Sequence, residues 1–301
     1  MVPKGEIRTL QSAGNPYARS VNRAQTYDER VAVPALAGRV RTVWIERIGP
    51  RPYLQRNLPT GGVELHCSIG GVPRLVGPLT SANMHLVPAH TTIVGVRFWP
   101  GTAAPLLGLP AGELVDLAVP ADDVWGGAAV RLGELLADAS GPDAALDRLQ
   151  RYICRRQERA DDPDPLVAEA VRRLMPWPHV EVGSLTTGLA ISASQLRRRL
   201  LTTVGVGPKS LQRTLRFQGY LALAQAASML DRSVPRGQLA DLAAEAGYAD
   251  HPHLSRECLR LTGLTPRELL SGGIDRCGCG HDHSASYLPF LAGRPRVLPT
   301  G

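Results

Sequence analysis

Between Ser192 and Gly219 the sequence places six basic side chains, Arg197, Arg198, Arg199, Lys209, Arg213 and Arg216, and no acid. A run of this kind holds phosphate, and an Arg or Gln presented at the right height reads a base edge through two hydrogen bonds. Ser194, Gln195 and Arg198 here, and His251, His253 and Arg256 further on, are the candidate base-reading residues. Arg199, Lys209, Arg213 and Arg260 are candidate phosphate ligands, which set register without reading sequence. A second chemistry stands near the C-terminus, where Cys277, Cys279, His281 and His283 recur at every second position. In an extended chain these four soft ligands would share one side. Thiolate with imidazole suits zinc or another soft transition metal such as Cu(I). The spacing is tight for a closed tetrahedral site. Partial ligation completed by another residue or subunit, a redox-active cysteine pair and an unstructured tail all stay open. Glu64, His66, His85 and His90 also invite a metal reading, but their spacing lacks two close histidines, and histidines on the polar faces of strands account for them more simply.

The base-reading candidates need helices to carry them, and the sequence supplies two similar units. In the stretch Gln238 to Leu270, Leu239, Leu242, Ala243 and Ala246 recur at helical spacing. Gly247 suits the end of that helix and Asp250 the cap of the next. The next helix buries Leu254, Cys258 and Leu261 and leaves His251, His253, Arg256 and Arg260 outside. Thr262-Gly263 stops it, and Thr265-Pro266 opens a third short helix. Two helices joined by a tight Gly turn, the second polar and basic, form a helix-turn-helix. Earlier in the chain Ser192 caps a helix that buries Leu196 and Leu200 and presents Ser194, Gln195, Arg198 and Arg199. Gly205-Val206-Gly207-Pro208 then mirrors Gly263-Leu264-Thr265-Pro266. That echo points to a duplicated unit. A long helix from Lys209 to about Leu230 joins the copies. Val182 to Gly188, rich in Gly and Thr, stands where the first copy needs its leading helix, which is expected to be short or distorted.

The residues Ala243, Gly247, Tyr248, Asp250, His253, Leu254, Ser255, Arg256, Gly263, Leu264, Thr265, Pro266 and Glu268, in that order and spacing, resemble the second helix-turn-helix of AraC/XylS-type transcription regulators. Cys258 stands where that family usually has an aromatic residue. The resemblance implies double-stranded DNA as partner, with the two copies on one face of the duplex about one turn apart. It also implies RNA polymerase as a partner if the protein is an activator.

Upstream, Val40 to Ile48 is rich in β-branched and aromatic residues. In Val63 to Ile69, Val63, Leu65, Cys67 and Ile69 alternate with Glu64, His66 and Ser68, which describes a strand with one buried face. Further short runs, Arg74–Val76, His85–Val87 and Thr92–Phe98, lie between Gly/Pro turns, as in a small β-barrel or sandwich. Trp44, Phe98 and Trp99 are candidates to line a pocket or fill its core. Two helices follow, expected over Trp125–Ala139 and Pro142–Glu158. The segments PTGGVELHC and VGVRFWPGTAAPLLGLPAGELVD are similar to the degenerate cupin-like sensing domain of actinobacterial-type AraC members. That similarity implies a small-molecule effector or a protein partner for this half, and helices that dimerise, hence a homodimer.

The resulting organisation is α+β. A polar arm covers 1–30, an effector- or partner-binding cupin-like domain 31–160, an all-α DNA-binding domain with two helix-turn-helix motifs 161–272, and the Cys/His-containing tail 273–301. The charged, Pro-broken stretch Glu158 to Pro165 is the linker. The chain of 301 residues has 34 basic and 27 acidic side chains, and the excess lies mainly after residue 162, where 16 basic face 11 acidic residues. That is the half expected to meet phosphates. Five scattered cysteines make no disulfide framework. No apolar run is long enough to cross a membrane, and the N-terminus lacks the apolar core of a signal peptide, so a cytoplasmic protein is expected. The sequence holds no Ser/His/Asp arrangement, no Gly-rich phosphate loop and no paired carboxylates suited to catalysis. A sequence-specific DNA-binding regulator is the leading reading. A metal- or thiol-responsive protein, in which the tail is the sensing site and DNA binding is secondary, is the alternative.

Overall fold

The computed structural model describes residues 25–177, 182–230, 236–271 and 283–294. The N-terminal domain is built on strands β1 (Thr26–Arg30), β2 (Val40–Arg47), β3 (Tyr53–Asn57), β4 (Glu64–Ser68), β5 (Arg74–Val76), β6 (Asn83–Val87), β7 (Thr92–Phe98) and β8 (Ala118–Pro120). Six of them form an antiparallel sheet in the order β1-β2-β7-β4-β5-β8, and β3 pairs with β6 as a separate ribbon. The two sheets face one another without closing into a barrel, so the expected barrel or sandwich takes the form of a sheet and a facing ribbon. β1 lies within the stretch read as an arm; it pairs along β2 from Thr26↔Arg47 to Arg30↔Val43.

Helices α1 (Ala104–Leu107), α2 (Asp122–Trp125), α3 (Gly127–Ala137) and α4 (Pro142–Gln157) complete this domain. The single helix expected over Trp125–Ala139 is broken at Gly126, whose φ of +53° only glycine adopts easily. Leu132, Leu136, Leu146, Leu149 and Ile153 of α3 and α4 pack on Val43, Ile45, Leu65, Cys67, Val94 and Val96 of the sheet. Period-two alternation sends the neighbouring residues to the other face, where Trp44, Ile48, Ile93 and Val87 form a smaller cluster beneath the ribbon. Trp44 pairs across the ladder with Gly95. A Cβ on Gly95 would lie 2.2 Å from the indole ring, so glycine is what lets the ring lie flat on the sheet.

The C-terminal domain comprises α5 (Pro165–Arg173), α6 (Val182–Leu189), α7 (Ala193–Thr203), α8 (Pro208–Leu230), α9 (Arg236–Glu245), α10 (His251–Thr262) and α11 (Pro266–Ser271). Its core surrounds α8, whose Leu215, Phe217, Tyr220 and Leu221 are fully buried. A further helix, α12 (Ser284–Ala292), packs on α8 and also against β1 and β2, so this helix contacts both domains. Among the described residues, no helix is long and apolar enough to cross a membrane.

Candidate nucleic-acid interface

α7 and α10 owe their positions to the same local devices. Ser192 accepts from the Gln195 amide while the Gln195 side chain accepts from the Ser192 amide, a reciprocal cap that satisfies two free N–H groups of α7. Asp250 caps α10 by accepting from the His253 amide at 2.6 Å. Leu196 and Leu200 under α7, and Leu254, Cys258 and Leu261 under α10, are buried in the core as the helical spacing requires. Burial pushes the Cys258 thiol up to about 12, so this residue serves as a small apolar filler in place of the aromatic. Each helix ends before a glycine with positive φ, Gly205 at +90° and Gly263 at +72°. The duplication is therefore structural as well as sequential.

Ser194, Gln195 and Arg198 on α7 and His251, Arg256 and Arg260 on α10 are exposed. Arg198, Arg256 and Arg260 have no ion-pair partner among the described residues. Lys209 is exposed at the start of α8. The other sequence candidates are engaged within the protein. Arg213 is half-buried and pairs with Glu257 at 2.6 Å, tying α8 to α10. Arg199 pairs with Asp164, the residue that caps α5. His253 stacks edge-on against Tyr248, and its Nδ1 accepts from the Ala249 amide at 3.3 Å, so its ring braces the turn before α10.

The domains meet on the flank of the first unit. Ser194, Arg197, Arg198, Leu201 and Thr202 line a crevice whose far wall is Pro110, Gly112 and Glu113 of the N-terminal domain. The backbones approach so closely that a Cβ on Gly112 would lie 2.7 Å from the Leu201 carbonyl oxygen. The second unit is held by Arg56, which donates to the Thr262 carbonyl at 2.7 Å, and by the Ala82 amide, which donates to the Leu261 carbonyl at 2.8 Å. The N-terminal domain thus touches both helix-turn-helix units.

Behind this surface, between sheet, ribbon and α12, lies a cavity of about 60 Å³. Glu64 and His66 do not face solvent, as the alternation in β4 suggests on its own; they line the cavity with Trp44, Arg41, Arg97 and Ser286. Arg97 is the hub. Its Nε donates to Glu64 at 2.8 Å and its Nη1 to Glu29 at 2.6 Å. Ser286 of α12 donates to Glu29 through both its hydroxyl, at 2.6 Å, and its amide, at 2.9 Å. His66 Nε2 sits 3.1 Å from Glu64. Burial pushes the Glu29 and Glu64 carboxyls up, but Arg97, joined by His283 and Ser286 at Glu29 and by His66 at Glu64, outweighs it and holds both well below the usual carboxylate range. Burial likewise pulls the Arg41 guanidinium down, to about 10.

Of the tail ligands, His283 opens α12 and packs between Tyr27 and Tyr287 with its Nδ1 3.8 Å from Glu29. Cys277, Cys279 and His281 lie outside the described residues. His85 is exposed on the ribbon, and His90 sits in the turn before β7. Among the described residues, no three His, Cys, Asp or Glu side chains gather as a metal would require. The sequence reading passed over Glu29, Arg41, Arg97 and Ser286. The available signal was charge inside apolar strands, as in VRTVWIER and TIVGVRF.

Residues 185–272 match a family described as a helix-turn-helix domain, the AraC-type form of that motif. Residues 29–120 match a domain of unknown function, DUF6597. No curated protein matches the sequence. Among solved structures, ToxT from Vibrio cholerae O395 is 9% identical with a TM-score of 0.41, covering 83% of this chain and 98% of that one. Unsaturated fatty acid bound ToxT from V. cholerae strain SCE256 is 12% identical with a TM-score of 0.42, covering 85% and 98%.

Proposed function

From a C-terminal AraC-type helix-turn-helix domain joined to a β-sheet domain, we propose that this DNA-binding transcription regulator reads two neighbouring major-groove segments with α7 and α10. Ser194, Gln195 and Arg198 contact base edges in one segment and His251 and Arg256 in the other. Arg260 and Lys209 hold phosphates. Arg213 and Arg199 are braces within the protein, consistent with their ion pairs. His253 orients the start of α10 instead of reading DNA. The observation that carries this reading is the repeated device itself: a capped helix, apolar inside and exposing Arg with Ser, Gln or His, ended each time by a left-handed glycine. An α-helix of this kind fits the major groove, where each base pair presents a distinct donor and acceptor pattern.

The N-terminal domain senses a small-molecule effector, and the cytoplasm is where the protein acts. Support comes from the cavity under α12 and from the contacts that carry its walls to α10 and α8. Arg56, which lines the cavity, also holds the end of α10. Gln218 of α8 lines it as well and donates to the Pro59 carbonyl at 2.8 Å. A ligand that moves these residues changes the setting of α8 and α10.

Footprinting of the purified protein on DNA upstream of its own and neighbouring genes tests the proposal. Protection of two adjacent major-groove segments about one turn apart is the expected result. Binding that is uniform along the DNA and vanishes with salt would refute sequence-specific reading.

A further inference from the structure

An offset of 58 positions, Gly205 to Gly263, lays the first helix-turn-helix unit on the second residue by residue. The caps Ser192 and Asp250 coincide. So do the buried pairs Leu196 with Leu254, Leu200 with Cys258, and Leu211 with Leu269. Pro208 and Pro266 coincide as the first residues of α8 and α11. These matches serve the fold. The charged positions behave otherwise. Arg197 falls on Ser255, Arg199 on Glu257, Thr202 on Arg260 and Arg213 on Ser271, so most of the basic charge of one unit has no counterpart in the other. Between the caps and the helix that follows, a cation stands in both units at two positions only: Arg198 with Arg256, and Lys209 with Arg267. All four side chains are exposed, and none makes a side-chain hydrogen bond or ion pair among the described residues. The first pair sits on the recognition helices, and the second lies just past the glycine turn that ends each one.

We propose that Arg267 is a DNA phosphate ligand, the counterpart in the second unit of Lys209 in the first, so that each unit is fastened by one cation beyond its recognition helix. This rests on the reading of α7 and α10 as the helices that enter the major groove and adds a contact to it. With 11 and 12 residues, α7 and α10 are about 17–18 Å long at 1.5 Å per residue. The major groove is about 12 Å wide. A helix that enters it by its N-terminal end carries its far end out to the sugar–phosphate wall. A cation placed there meets phosphate, not base edges. Phosphate asks for charge and no particular base geometry, so lysine in one unit and arginine in the other are equivalent. The neighbouring Glu268 carboxylate is turned to its own turn, accepting from the Thr265 amide and hydroxyl, both at 2.8 Å.

The test is the affinity of the full chain for a random-sequence duplex across roughly 0.05–0.2 M salt. Arg267→Gln should lower the slope of log K against log salt by about 0.9, the share of one phosphate, and weaken binding about eightfold at about 0.1 M salt. Lys209→Gln should do the same. Arg267→Lys should keep the parent slope. Arg131→Gln removes an exposed charge from α3 in the N-terminal domain and should leave the slope unchanged. On a footprinted operator, Arg267→Gln should lose the same factor as on random DNA. An unchanged slope in Arg267→Gln, an equal fall in Arg131→Gln, or a fall in Arg267→Lys as large as in Arg267→Gln overturns the proposal. Equal thermal unfolding of parent and variants, expected for exposed positions, excludes a folding defect as the cause. A parent chain that binds no duplex overturns the reading of α7 and α10 itself. A slope that falls in Lys209→Gln and not in Arg267→Gln overturns Arg267 alone.

Discussion

Replacing Gly95 with alanine presses a methyl group into Trp44, and the consequence can be worked from the geometry. The new Cβ would stand 2.2 Å from Cε2 and Cζ2 of the indole, against about 3.5–4.0 Å for an ordinary carbon contact. The ring has little room to retreat. It is 2% exposed, stacked on Tyr27 with ring centroids 5.7 Å apart, and set edge-on to His66 at 4.8 Å. Relief of more than 1 Å must come from β2 or from the ring's own neighbours. Overpacking of this kind costs about 1–3 kcal/mol, or roughly 2–10 °C in Tm for a domain of this size. The assay is urea unfolding of Gly95→Ala, Trp44→Phe and the double variant. Phenylalanine lacks the indole atoms nearest the methyl, so the double variant should be more stable than the two single costs predict, by about 1–2 kcal/mol. Gly38→Ala is the control: its Cβ would meet no heavy atom within 4 Å. Single costs that add within about 0.5 kcal/mol would refute the contact as the cause, because residues that do not interact are additive.

Arg256→Ala should weaken operator binding about 5- to 150-fold, the equivalent of 1–3 kcal/mol for one base contact, while random-sequence DNA loses far less; equal loss on both would remove Arg256 from the base-reading set. Asp250→Ala removes the cap of α10 and should destabilise the C-terminal domain by about 1 kcal/mol, measured by urea unfolding, whereas Asp250→Asn should be nearly silent. Glu29 and Glu64 have carboxyls lowered in the folded state, so the stability they contribute is complete above the unfolded carboxylate value of about 4.3 and is lost as pH falls below it. Acid unfolding followed by near-UV circular dichroism should therefore steepen below about pH 4, and Glu29→Gln should flatten that limb. An acid limb unchanged in Glu29→Gln would mean that the Arg97 cluster does not link protons to folding.

Tertiary structure revised several local readings for identifiable reasons. Arg213 sits in a run of basic residues, which by itself suggests phosphate; Glu257, 44 positions on, becomes its partner only when α10 packs on α8. His253 has the right spacing to read a base, but the turn at Tyr248 claims its ring. Polar residues alternating along β4 point to solvent in an isolated sheet. Here a ribbon from residues 53–57 and 83–87, and a helix from the far end of the chain, close over that face.

What the sequence determined by itself was everything carried by short-range periodicity and backbone chemistry. Helical spacing of Leu254, Cys258 and Leu261, caps at Ser192 and Asp250, and paired glycines at Gly205 and Gly263 specify two like units, because each of these effects acts within a turn or two of helix. The chemistry of the cavity had no such signature. Arg41, Arg97, Glu29 and Ser286 lie as much as 257 residues apart, and whether a buried guanidinium finds a carboxylate depends on which strands pair and on what lies over them. Only the packed structure brings Glu29 and Glu64 to Arg97 and Arg41.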